Sequence, residues 1–211
     1  MSTILLPKRV LVNAEKKFMV YINNTESIFS ITKDKEINHY ISVCSGFKSI
    51  YKCAIDWYPG KEFRFTYVDI IPTAVNFRRY FDKFCYDKKL SEIYSAYKKI
   101  HQETIGIFYN TCLQKIDNSI DEEIESLGLQ YTWDAFIKEY RKAPKLYLTL
   151  DIINHVEILN EIISKFDDNK WFWYSNIFNW HQYVYSKEKK LNWIECIKDH
   201  NPNIKFCEGG L

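Results

Sequence analysis

Residues 171–185 read Trp-Phe-Trp-Tyr-Ser-Asn-Ile-Phe-Asn-Trp-His-Gln-Tyr-Val-Tyr, eight aromatic side chains in fifteen positions. Four of them, Trp171, Phe172, Trp173 and Tyr174, are consecutive. Successive residues of an α-helix point about 100° apart, so no single helical face buries all four. Either other elements sandwich this segment, or part of it is exposed. Trp and Tyr dominate interface hot spots because they carry large area at small rotamer cost. An exposed share therefore predicts a partner-binding face at Trp171, Trp173, Tyr174 and Trp180.

The rest of the chain has the means to build a core around such a segment. Of 211 residues, 46% are hydrophobic and 27% charged, with only six Gly and five Pro, which excludes collagen-like, linker-like and disordered classes. The length suits one large domain or two small ones. A net charge of +2 points to no nucleic acid, membrane or acidic substrate by itself. Lys outnumbers Arg 24 to 5, a bias that AT-rich codons produce without a functional cause and that fits a viral, phage or mobile-element origin. No apolar run approaches the roughly 20 residues that span a bilayer, and the apolar run before Pro7 is too short for a signal peptide. Six scattered cysteines, at 44, 53, 85, 112, 196 and 207, differ from the dense spacing of secreted disulfide scaffolds. These features predict a soluble, cytoplasmic protein with reduced thiols.

Periodicity changes along the chain. Phe18–Ile22 and Ser27–Thr32 flank an Asn pair and predict a hairpin. Ile37, Tyr40, Ile41, Cys44, Phe47, Tyr51, Ala54 and Ile55 recur at helical spacing after Asp34 and predict a helix ending near Tyr58-Pro-Gly. Phe63, Phe65 and Tyr67 alternate with Arg64, Thr66 and Val68, the period of a strand. Strands are expected to stop near Pro72. Beyond it, helical stripes run over 75–85 and 90–101, with further helices expected at 104–127, 132–142, 147–166 and 186–200, the last two opening at about Tyr147 and at an N-cap, Ser186. The expectation is an α+β fold: a small N-terminal strand-containing part (hairpin, helix, strand) over 1–72, packed on a larger mostly helical part over 73–211, with one core shared between them an open alternative.

Catalytic signatures are absent. The six glycines form neither a G-x-x-x-x-G-K-[ST] loop nor a G-x-G-x-x-G turn, and no G-x-S-x-G or H-E-x-x-H occurs. His101-Gln-Glu103 and His155-Val-Glu157 lack the P-C-x-x-C half of a zinc deaminase. Cys196 and His200 share a helix face with Cys207 nearby, but this spacing matches no familiar zinc module, so buried thiols explain them better. The pairs Asp117/Asp121 and Glu157/Glu161 share helix faces as solvated acids commonly do. No cofactor, metal ligand or catalytic residue is assigned from the sequence.

Charge is uneven. Residues 116–168 hold 5 Lys and Arg against 12 Asp and Glu. Asp121, Glu122, Glu123 and Glu125 form its densest acidic stretch. Before it, Arg78, Arg79, Lys83, Lys88, Lys89, Lys98 and Lys99 interleave with Tyr80, Tyr86, Tyr94 and Tyr97, a composition that contacts phosphates and stacks bases. The sequence reading is an interaction protein of inhibitor, immunity or regulatory type that occupies another protein, with a basic, nucleic-acid-handling protein the partner that the acidic stretch would steer to. Two alternatives stand beside it: a nucleic-acid-binding module using 78–99, and a metal-dependent enzyme without a local signature.

Overall fold

The computed structural model describes residues 31–44, 46–100, 113–174, 177–179 and 186–207. Its centre is a five-stranded, all-parallel sheet built from β1 (His39–Val43), β2 (Arg64–Asp69), β3 (Lys145–Thr149), β4 (Lys170–Trp173) and β5 (Ile204–Cys207), in the order β3-β2-β1-β4-β5. Between strands run α1 (Lys48–Asp56), α2 (Pro72–Phe84), α3 (Leu90–Ile100), α4 (Leu113–Ser126), α5 (Trp133–Lys142) and α6 (Val156–Ile163). A 3-10 turn at Ile177–Asn179 and α7 (Lys187–His200) precede β5.

The two sides of the sheet form two cores. Tyr40, Phe65, Tyr67, Trp171 and Trp173 point into a cluster with residues of α1 to α5. Ile41, Val68, Phe172 and Tyr174 point the other way, against Leu159 and Ile163 of α6 and Trp193 and Ile197 of α7. A parallel sheet covered on both faces buries successive residues of each strand, and this resolves the aromatic run. Trp171, Phe172, Trp173 and Tyr174 are 6%, 0%, 2% and 2% exposed. They are the core of the central strands, and Trp171, Trp173 and Tyr174 are therefore not surface anchors.

The chain is mixed α and β, as expected, but its strands do not stop at Pro72. The single sheet takes β1 and β2 from before that point and β3, β4 and β5 from after it. The expected helix over 37–55 is strand β1 followed by α1, because a short apolar run such as Tyr40–Cys44 satisfies both periods. Gly46, at φ +68°, takes the left-handed conformation that separates the two elements. The expected helix over 147–166 likewise opens as a strand. The α5 and α7 helices lie where the periodicity puts them, and Ser186 Oγ accepts from Lys189 N at 3.1 Å as the N-cap of α7. The expected hairpin at 18–32 lies almost wholly outside the described residues.

Lys52, Asp56 and His39 are buried in this core, each with a hydrogen-bond partner. Lys52 Nζ donates to both Asp56 oxygens at 2.6 and 2.5 Å, and Asp56 also accepts from Tyr40 Oη at 2.9 Å and Asp34 N at 2.7 Å. His39, wholly buried at the start of β1, pairs its Nε2 with Thr66 Oγ1 at 2.9 Å. Burial, reinforced by Lys170 and Arg64, pushes the His39 pKa down to about 3. Among the described residues no helix is long and apolar enough to cross a membrane.

Candidate switch-point site

In the order β3-β2-β1-β4-β5, the chain leaves β1 toward β2 on one side and leaves β4 toward β5 on the other. The connections diverge outside the carboxyl ends of β1 and β4, and open parallel sheets bind ligands in the crevice at such a point.

After β1 come Cys44, Gly46 and Phe47. Cys44 and Phe47 are 2% and 5% exposed. Phe47 N-caps α1 without a side-chain hydrogen bond. The loop is tied from outside by Arg78 of α2, whose Nε and Nη2 donate to Cys44 O at 3.1 and 2.9 Å and whose Nη2 also donates to Gly46 O. β2 ends at Asp69, half-buried, whose Oδ1 accepts from Ile71 N at 3.0 Å. Its carboxylate also accepts from the Cys44 backbone, which places it beside the β1 loop. Burial pushes its pKa up to about 6, against the pull of these amides. After β3, Asp151 accepts from the amides of Ile153 and Asn154 at 3.2 Å and closes a local turn. At the end of β4, Tyr174 stacks edge-on with Phe178 and Trp193 at 5.8 and 5.4 Å.

Behind the β1 loop lies a buried polar network. Tyr140 Oη donates to Asp82 Oδ1 at 2.5 Å and lies 2.7 Å from Tyr67 Oη, while Tyr147 Oη donates to Asp82 Oδ2 at 2.6 Å. Burial raises the Asp82 pKa, and Arg78, Lys145 and the two tyrosine hydroxyls oppose that rise.

The sequence-derived residues fall elsewhere or take other roles. Arg78 is 3% exposed and faces backbone carbonyls and rings, so it is no phosphate contact. Arg79, Lys83, Lys88, Lys89, Lys98 and Lys99 are exposed on α2, α3 and the turn between them. Arg79 lies over the Tyr147 ring at 5.1 Å, and Lys83 and Lys88 lie over Phe84 at 5.3 and 5.4 Å. Of the interleaved tyrosines, Tyr94 and Tyr97 are buried in the core, Tyr80 is half-buried and Tyr86 is exposed. Asp121, Glu122 and Glu125 are exposed on α4, and Glu123 accepts from Tyr51 Oη at 2.7 Å. Trp180 lies outside the described residues. Among the described residues, no group of three or more His, Cys, Asp or Glu is arranged to hold a metal ion.

Sequence reasoning missed Asp69 and Gly46. The signal was present: an acid at the end of a period-two strand, about 20 residues beyond a glycine that follows another apolar run, is the spacing at which a ribose-binding carboxylate sits in a βαβ unit. No protein-family model, curated protein or solved structure matches the chain.

Proposed function

We propose that the protein binds a nucleoside-bearing small molecule at the switch point outside the carboxyl ends of β1 and β4, with Asp69 accepting from the ribose hydroxyls. The sheet order hosts many activities, so the order alone selects none. The observation that carries the reading is Asp69, a half-buried carboxylate ending β2 and bonded to the amides of the loops that follow both β1 and β2.

The chemistry beside Asp69 narrows the ligand. A dinucleotide needs glycines that let backbone amides close on its pyrophosphate at a helix N-terminus. Here the β1 loop offers one glycine, Gly46, and its carbonyl and that of Cys44 face Arg78. These features favour a nucleoside whose 5′ substituent is neutral or cationic. The partner-protein reading keeps the exposed acids of α4 but has Trp171, Trp173 and Tyr174 in the core, which makes it the weaker one.

A melting comparison tests the proposal. Ligand at about a hundredfold over Kd adds about 2.7 kcal/mol, which moves the Tm of a chain this size by about 5 to 10 °C. S-adenosylmethionine and adenosine are expected to give such shifts, and NAD and ATP are expected to give none. Shifts with NAD or ATP alone would replace this reading with a dinucleotide or nucleotide one.

A further inference from the structure

Arg78 belongs to the helix that follows β2, yet its guanidinium contacts the loop that follows β1. It reaches the carbonyls of Cys44 and Gly46, and its Cζ stands 5.3 Å from the ring of Phe47. Beneath and beside it lie the rings of Tyr67 and Phe81 at 5.0 and 5.4 Å. A planar fork with fixed donor directions spans two carbonyls in a way that an ammonium does not.

This is a costly way to fill space. A buried cation loses its hydration, and Nη1 has no hydrogen-bond partner among the described residues. Apolar side chains of similar volume often replace buried ion pairs at no loss of stability. The charge is balanced by Asp82 on the same helix, which Tyr140 and Tyr147 hold in turn, and Tyr140 pairs with the Tyr67 whose ring lies against Arg78. Side chains from β2, α5 and β3 are thus joined to Asp82 of α2 in one buried network beside the guanidinium, and that guanidinium converges on one loop.

We propose that Arg78 is the positioning residue of the switch point, holding Cys44 and Gly46 in the loop shape that receives the ligand. This rests on the nucleoside reading, and it has a readout that does not. Amide hydrogen exchange is measured on wild type and Arg78→Lys, and adenosine affinity is measured on the same samples. Arg78→Lys keeps the charge and gives up the fork. Exchange at the amides of 46–48 is expected to quicken at least tenfold while β2 and β3 amides keep their protection, and adenosine binding is expected to weaken at least tenfold. Unchanged exchange at 46–48 overturns the proposal whatever the protein binds. Selective loosening in a protein whose wild type binds no nucleoside supports the loop anchor and overturns the nucleoside reading. Should Arg78→Lys fail to fold, Tyr147→Phe removes one donor from Asp82 without touching the loop. It is expected to loosen 46–48 selectively but less, and no loosening there overturns the proposal too.

Discussion

Tyr140 Oη stands between Tyr67 Oη at 2.7 Å and Asp82 Oδ1 at 2.5 Å, so one buried hydroxyl joins β2 to α2 from a position on α5. Removing it leaves a buried carboxylate oxygen and a buried hydroxyl each short of a partner, at about 1 to 3 kcal/mol. Tyr140→Phe is therefore expected to lower the Tm by about 2 to 12 °C in thermal denaturation followed by circular dichroism. A wild-type Tm in this variant would mean that water replaces the hydroxyl without loss.

The aromatic run has an equally direct consequence. Trp173 is 2% exposed in β4, and truncating a buried Trp costs about 3 to 5 kcal/mol. Trp173→Ala is expected to unfold at much lower denaturant concentration than wild type with the same m-value. Near-native stability would return the segment to the surface.

The run also shows what was legible in the sequence. Eight aromatics in fifteen residues correctly exclude a one-faced helix over 171–174, and the alternative of an element sandwiched between others is what the sheet provides. That this element is a parallel strand was not legible, because the partners of β4 are β1 and β5, and pairing across such distances leaves no local trace. Cap chemistry is local, and Ser186 was correspondingly readable. Arg78 was misread for the converse reason: its composition matches a phosphate-binding surface, and only the fold turns its side chain inward, onto the Cys44 carbonyl. Asp69 was readable in principle, but its meaning depends on β1 and β2 being parallel neighbours.

Two buried groups set opposing pH dependences. His39 titrates near 3 in the fold against an ordinary value of 6.5, so its contribution is present above pH 6.5 and is lost as the pH falls toward 3. Asp69 titrates near 6 against 3.8, so it favours the fold below pH 3.8 and that contribution is lost as the pH rises through 6. Between pH 4 and 6 the two slopes oppose each other. Asp69→Asn is expected to make stability fall more steeply than wild type as the pH drops through this window, and His39→Gln to make it fall less steeply or rise. Parallel curves for all three proteins would show that neither group titrates as its surroundings imply.

The nucleoside reading is tested most directly by calorimetric titration of wild type and Asp69→Asn with S-adenosylmethionine and adenosine above pH 7, where Asp69 is ionised. A hydrogen bond to a charged group contributes about 1.5 to 3 kcal/mol, which corresponds to about ten- to a hundredfold in affinity. The expected result is saturable one-to-one binding to wild type, weakened by that factor in Asp69→Asn. Binding of equal strength in both proteins, or no saturable binding to wild type at about 1 mM ligand, the weak end of specific recognition, would contradict it.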